Sequence, residues 1–230
     1  MPTNNGAVLK VLFIGNSATY VNNIPQTLSL LAQKAGYRVE VGTVTKGGVT
    51  LSHHADATTD LGKSVSRAIA GGAYDIVFLQ DNGRCILSEE NREESFAACR
   101  TLDRMIRDSG ARTFFYVRPP TGRDQEGYDA YTQCLEYDKH FCTIAEELGA
   151  ENAYVNRAFA YAIKHLDIPL WGPDNAHTSP EGAYLAVCVF FATLFRASAT
   201  LLDDNGLPAD VALSLQQAAD KVVLGQYIPQ

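Results

Sequence analysis

The sequence contains little basic charge and no long apolar run. Against 26 acidic residues stand 19 lysines and arginines, which gives the 230 residues a net charge of −7. Neither nucleic acid nor an anionic membrane surface is therefore expected as the main partner. No apolar run reaches the roughly 20 residues of a transmembrane helix, and residues 1–6 lack the basic and apolar parts of a signal peptide. We expect a cytoplasmic protein, unless a signal has been removed.

Paired cysteines are also missing. The five cysteines are an odd number and include no Cys-x-x-Cys pair, so neither a disulfide framework nor a zinc site is predicted. The chain has no internal repeat and no low-complexity tract. With 46% hydrophobic and 20% charged residues it has an ordinary globular composition, and no shift in composition divides it. We predict one domain over residues 1–230.

Apolar segments typical of buried strands alternate with segments of helical periodicity. The predicted strands cover residues 11–14, 37–44, 75–79, 113–117 and 153–155. The predicted helices cover residues 23–35, 61–70, 90–109, 128–148, 179–195 and, at the C-terminus, 208–225. Such alternation predicts a parallel sheet with helices on both faces. The fold class is α/β, a flavodoxin-like three-layer α/β/α arrangement with a five-stranded parallel sheet in the order 2-1-3-4-5.

The first strand runs directly into Gly15-Asn16-Ser17, which places a serine at the edge of the sheet where α/β proteins bind ligands. A serine hydroxyl becomes a nucleophile only when a base accepts its proton and a third group orients that base. His177 follows Asp174 by three residues in a loop rich in proline and glycine, so the carboxylate can turn back onto the imidazole. Alternatively, Asp174 only forms a turn and His177 packs beside Trp171. The other histidines suit a solvated turn (His53, His54) or structural and surface positions (His140, His165).

Acyl transfer also requires hydrogen-bond donors for an oxyanion. The backbone amide of Ser17, the amide of Gly48 after the second strand, and the side chain of Asn82 after the third strand are candidates. For Gly48 and Asn82 the simpler interpretation is that each belongs to a turn. Because the three loops follow neighbouring strands of the predicted sheet, we expect them to converge at one edge.

Four segments in this order resemble the motifs of the SGNH (GDSL-type) hydrolase superfamily. They are residues 15–17, 48–50, 79–83 and 174–182, of which the last matches Asp-x-x-His-x-Ser-x-x-Gly closely. Asn16 replaces the more common aspartate of the first motif. In the third motif Gln80 replaces a glycine and Gly83 an aspartate, so Gln80 is an alternative to Asn82 as the amide donor.

The resemblance implies a serine esterase that works through an acyl-enzyme. Ser17 would be the nucleophile, His177 the base and Asp174 its orienting acid. The amides of Ser17 and Gly48 and the side chain of Asn82 would form the oxyanion hole. It implies no metal and no organic cofactor.

The substrate is less closely defined by the sequence. Members of the superfamily include carbohydrate deacetylases, lipases, thioesterases and arylesterases, and we favour a small acyl ester, such as an acetyl ester, on a carbohydrate. Candidate substrate contacts lie in the same loops: Asn16, Gln80, Arg84, Arg118 and Trp171. Solvated arginines and a tryptophan that anchors its loop are the simpler interpretations.

Three alternatives to an active esterase fit parts of the sequence. A flavodoxin-like protein would bind a phosphate or a flavin in the loop formed by Asn16, Ser17 and Thr19. A metal-dependent phosphoesterase would use Asp174 and His177 as ligands. An inactive protein with the SGNH fold would keep the motifs without the reaction.

Overall fold

A computed structural model describes residues 7–230, so the interpretation of residues 1–6 as lacking a signal peptide lies outside the described residues. The predicted sheet is confirmed: its strands are all parallel and run in the order β2-β1-β3-β4-β5. The strands are β1 (Leu9–Gly15), β2 (Val39–Thr45), β3 (Ile76–Leu79), β4 (Arg112–Val117) and β5 (Glu151–Tyr154). Since β1 pairs with strands on both sides, its continuous apolar run is fully buried.

Helices cover both faces of this sheet. They are α1 (Ser17–Tyr20), α2 (Ile24–Lys34), α3 (Leu51–Ala55), α4 (Asp60–Gly71), α5 (Glu89–Asp108), α6 (Ala130–Leu148), α7 (Val155–His165), α8 (Pro180–Phe195) and α9 (Ala209–Val223). Short 3₁₀ segments occur at Val21–Asn23, Gly83–Ile86 and Ala199–Leu201. The C-terminal helix predicted over residues 208–225 is therefore present, with bounds that differ by one or two residues.

Alternate side chains of β1 enter two separate cores. Phe13 packs on Phe78 and Phe190 in the core that includes α2, α7, α8 and α9. Leu12 and Ile14 enter the core formed with α4, α5 and α6. This two-sided packing fixes the end of β1 and, with it, the position of the loop that follows.

The short helix α3 differs from the solvated turn predicted for His53 and His54. Thr50 and His53 form a capping box at its start, and the turn of helix directs His54 inward, where only 1% of its surface is exposed. Burial lowers the pKa of His54, and its Nδ1 lies 3.1 Å from the carbonyl oxygen of Thr50. The prediction for His54 was wrong because a helix of five residues is too short to show a periodic pattern.

The part of the chain that the structure describes includes no helix that is both long and apolar enough to cross a membrane. All five cysteines are free thiols. Residues 7–230 also contain no group of three histidine, cysteine, aspartate or glutamate side chains arranged to hold a metal ion.

Candidate active site

Ser17 lies at the carboxyl end of the central strand, as the first residue of α1. Asn16 caps this helix, because its side-chain Oδ1 accepts a hydrogen bond from the amide of Ala18 at 3.1 Å. Gly15 is required by close packing: a Cβ atom there would lie 2.6 Å from both Gln80 Oε1 and Thr19 Oγ1. The strand end and the cap together hold the Ser17 hydroxyl at the edge of the sheet.

The structure brings Ser17, His177 and Asp174 together. His177 Nε2 lies 2.9 Å from Ser17 Oγ, and His177 Nδ1 lies 2.6 Å from Asp174 Oδ2. The His177 and Asp174 side chains remain 37% and 47% exposed, so the group is open to solvent. This is the arrangement in which a hydroxyl can transfer its proton to an imidazole while a carboxylate fixes the tautomer.

Asp174 is held by its own loop. Its Oδ1 accepts hydrogen bonds from the backbone amides of Ala176 and His177, both at 3.0 Å. These bonds, with that from the His177 side chain, hold the pKa of Asp174 well below its ordinary value. The carboxylate is therefore ionised whenever the imidazole requires a partner.

The loop that carries His177 is fastened at several points. The Trp171 indole N–H donates to the carbonyl of Pro120 at 3.0 Å, and the Asn22 side chain donates to the carbonyl of Thr178 at 2.7 Å. Ser179 caps α8 by accepting from the amide of Gly182 at 3.0 Å. Trp171 therefore anchors the loop, as in the simpler of its two interpretations.

The three predicted oxyanion donors also converge. Asn82 Nδ2 donates to the carbonyl oxygen of Gly48 at 3.2 Å, and Asn16 Nδ2 donates to the carbonyl oxygen of Val49 at 3.0 Å. Within residues 7–230, the backbone amides of Ser17 and Gly48 donate to no acceptor. Asn82 Nδ2 retains a second hydrogen, so three N–H groups are available for a ligand at this edge. Gly48 has a φ of 74°, which favours glycine at that position.

Asp81, which sequence reasoning missed, fixes the loops that carry these donors. Its Oδ1 accepts from the amides of Leu51 at 2.8 Å and Asn82 at 2.6 Å, which belong to the loops after β2 and β3. Its Oδ2 accepts from Ser95 Oγ at 2.5 Å, and Ser95 Oγ lies 3.1 Å from His140 Nε2. Burial raises the pKa of Asp81. The only sequence signal for this role is a run of three polar residues directly after a buried strand.

Two predicted site residues, Gln80 and Asn16, are structural. Gln80 is only 1% exposed; its Oε1 accepts from the Asn16 amide and from Thr19 Oγ1, both at 2.9 Å, and its Nε2 donates to the carbonyl of Asp81. Asn16 is likewise buried, with both side-chain polar atoms bonded to backbone. Their burial contradicts the prediction of both residues as substrate contacts and of Gln80 as the alternative amide donor, because neither side chain is open to a ligand.

The two candidate arginines differ in their surroundings. Arg84 is exposed, and its backbone amide donates to Asn82 Oδ1 at 3.1 Å. Arg118 is only 9% exposed; its Nε donates to the carbonyl of Pro119 at 3.0 Å and its Cζ lies 5.6 Å from the ring centroid of Tyr137. Arg118 was predicted either to bind substrate or to be solvated, whereas the structure packs it behind the backbone of Gly83.

A cavity of about 700 Å³ lies away from these residues, between the end of α6, the edge strand β5 and the C-terminal segment. Its lining includes Cys142, Tyr154, Arg157 and Arg196. None of its lining residues belongs to the Ser17–His177 group, so the candidate active site is the open edge of the sheet.

The fold is similar to that of several solved structures, which include SGNH-type hydrolases. A protein of the DUF4886 family from Bacteroides uniformis superposes with a TM-score of 0.83, at 16% identity over 97% of this chain and 98% of that one. A candidate SGNH hydrolase from Slackia heliotrinireducens gives 0.67, at 24% identity over 82% and 100%. Axe2, an acetylxylan esterase from Geobacillus stearothermophilus, gives 0.60, at 17% identity over 82% and 95%. No family model and no curated protein matches the sequence.

Proposed function

We propose that the protein is a serine esterase that hydrolyses a small acyl ester, with an acetyl ester of a carbohydrate as the favoured substrate. The observation that supports this most strongly is the continuous chain of contacts from Ser17 Oγ through His177 to Asp174, at 2.9 and 2.6 Å. The likeness in fold to Axe2 supports the acetyl and carbohydrate parts of the proposal.

In the proposed reaction Ser17 Oγ attacks the ester carbonyl while His177 Nε2 accepts the hydroxyl proton. The Ser17 and Gly48 amides and Asn82 Nδ2 stabilise the negative charge that develops on the carbonyl oxygen. His177 then gives its proton to the leaving alcohol, and an acyl-enzyme on Ser17 remains. Water, deprotonated by His177, attacks this ester and releases the carboxylic acid and free Ser17. Every proton passes through His177, so the reaction requires no metal ion and no organic cofactor.

The surroundings of Ser17 support a small acyl group. The loops after β1, β2 and β3 are short and polar, and the exposed His177 and Asp174 side chains leave the site open rather than enclosed in an apolar tunnel. A long hydrocarbon chain would therefore remain largely in water, which removes the hydrophobic contribution to its binding.

The alternative of a phosphate or flavin site after β1 has less support. That alternative relied on the side chains of Asn16, Ser17 and Thr19, but Asn16 Nδ2 donates to the carbonyl of Val49 and Thr19 Oγ1 donates to Gln80. Ser17 Oγ contacts His177. The three side chains on which a phosphate or flavin site would depend therefore already have protein partners.

Hydrolysis of p-nitrophenyl acetate tests the proposal. We expect Ser17→Ala to lower kcat by roughly 10⁴-fold or more, because the nucleophile is lost. Ser214→Ala, which removes a partly exposed hydroxyl on α9, should retain wild-type kcat. Equal activity of wild type and Ser17→Ala would overturn the proposal.

A further inference from the structure

A second, polar pocket of about 140 Å³ opens between the loops after β2 and β3 and the start of α5. Cys85 contributes to its wall, and the other wall side chains are polar: Thr50, Ser52, His53, Arg84, Asn91 and Glu94. The buried Asp81 and Ser95 also line it, and their polar groups are already bonded to each other and to the protein. No part of the chemistry described above uses the wall residues.

The pocket adjoins the proposed oxyanion hole. Thr50 follows Gly48 by two residues, and Arg84 follows Asn82 by two. Since consecutive Cα atoms are 3.8 Å apart, the Cα atoms of Thr50 and Arg84 lie within about 8 Å of those of Gly48 and Asn82. A molecule whose ester carbonyl lies between Gly48 and Asn82 can therefore extend a substituent into the pocket without leaving Ser17.

The polar residues of the pocket wall favour the alcohol half of an ester over its acyl half. Glu94 Oε1 accepts from Ser52 Oγ at 2.5 Å, while Arg84 forms no ion pair within residues 7–230. Donors and acceptors thus stand side by side, which suits hydroxyl groups because each can both donate and accept. Thr50, Ser52 and His53 are already bonded to one another or to Glu94. An apolar acyl chain, however, would cover the Arg84 guanidinium and the second Glu94 oxygen without offering them a partner, at a cost in free energy.

The size of the pocket limits what it can hold. Pockets that enclose a whole small-molecule ligand measure roughly 300–1,000 Å³, so about 140 Å³ accommodates only a fragment. The substrate therefore places one hydroxylated portion there, while its acyl group stays at Ser17.

We propose that this pocket is a specificity subsite for the alcohol half of the ester, which binds a neutral, polyhydroxylated group through Arg84 and Glu94. The inference rests on the proposed esterase function and adds to it the part of the substrate that is recognised.

Two esters of matched shape test the subsite. Methyl 6-O-acetylglucopyranoside and cyclohexylmethyl acetate are both primary acetates on a six-membered ring, but only the first carries hydroxyls. We expect the wild type to show a higher kcat/KM for the sugar ester. In the double variant Arg84→Met/Glu94→Leu, the ratio of kcat/KM for the sugar ester to kcat/KM for cyclohexylmethyl acetate should fall at least fivefold. In Arg84→Met alone the same ratio should fall less. The single variant changes an exposed side chain and so keeps the test valid if the double variant misfolds.

Arg104→Met is the matched control, since Arg104 is an exposed arginine of α5 outside the pocket. It should leave the ratio unchanged. A wild-type enzyme without preference for the sugar ester, or a double variant whose ratio changes less than fivefold, would overturn the subsite while leaving the esterase proposal intact. If the wild type hydrolysed neither ester nor p-nitrophenyl acetate, the esterase proposal would itself fail, and the subsite with it.

Discussion

The Asp174 carboxylate both holds the loop around His177 and contacts the imidazole. One of its oxygens binds two backbone amides and the other binds His177 Nδ1, so the base is positioned by residues three apart in sequence. Only the final contact, from His177 to Ser17, spans a long separation of 160 residues. That contact depends on the sheet, which fixes Ser17 at the end of β1.

Asn82→Ala tests the oxyanion hole at the scale of one residue. We expect kcat to fall by about 10²–10³-fold with little change in KM, because the lost N–H would bond the oxyanion more strongly than the ground-state carbonyl. Steady-state kinetics on p-nitrophenyl acetate provide the measurement. Gln217→Ala, which removes an exposed amide on α9, should behave as wild type. A raised KM at unchanged kcat would assign Asn82 to ground-state binding instead.

Individual residues differ in how far the sequence defines them. The contact between Asp174 and His177 could be predicted from the sequence because the two residues are only three positions apart. The burial of Gln80, Asn16 and Arg118 is not, since it depends on partners brought together by the fold, as in the contact of Gln80 with Asn16 across 64 residues. The sequence of a loop does not show whether the hydrogen-bond partner of a polar residue is a ligand or the protein itself.

At the scale of elements, Asp81 joins the loop after β2 to the loop after β3. Through the amides of Leu51 and Asn82 it sets the separation of Gly48 and Asn82. The carboxylate is a positioning group, because its oxygens contact backbone and Ser95.

Asp81→Leu should weaken both folding and catalysis. Two buried N–H groups would lose their acceptor, at about 1–3 kcal/mol each, which corresponds to a fall in Tm of roughly 4–24 °C for a domain of this size. In the folded fraction we expect kcat to fall at least tenfold, since the two loops lose their common anchor. Thermal melts and active-site-normalised kcat values give the two readouts.

Asp81→Asn is the matched variant, because its Oδ1 can still accept from both amides and its Nδ2 can donate to Ser95. We expect its kcat to stay within threefold of wild type. If Asp81→Leu lowered Tm but kept full kcat, the carboxylate would stabilise the fold without positioning the donors.

The strands and the long helices were predictable from their apolar patterns, whereas the short helix α3 was not. The order of the sheet follows from alternating strands and helices with right-handed connections. Helix α3, with the residues Leu51–Ala55, directly follows a glycine turn and has too few residues to show a helical pattern. It begins where Thr50 and His53 form a capping box. As a result neither the buried position of His54 nor the polar pocket beside Thr50 could be predicted from the sequence.

For the whole molecule, buried histidines predict sensitivity to acid. Burial lowers the pKa of His140 from 6.5 to about 3, and the nearby charge of Arg92 acts in the same direction. Below about pH 6.5 the unfolded chain binds a proton at this residue that the folded protein does not bind, so the free energy of unfolding falls with pH until about pH 3. The pKa of His54 is shifted in the same direction.

His140→Gln isolates this contribution, because glutamine does not titrate and can still donate to Ser95. Each pH unit below 6.5 costs the wild type up to about 1.4 kcal/mol. Between pH 7 and pH 5 the difference in unfolding free energy should therefore shift by about 2 kcal/mol in favour of the variant. Urea unfolding at the two pH values measures this shift. A difference that stays constant with pH would show that His140 titrates normally in the folded protein.

Labelling with a fluorophosphonate probe tests directly whether His177 activates Ser17 as a nucleophile. Peptide mapping by mass spectrometry should find one adduct, on Ser17, and His177→Ala should slow its formation at least a hundredfold in a folded sample. An adduct on a different serine, or labelling of Ser17 at the same rate without His177, would show that His177 does not activate Ser17.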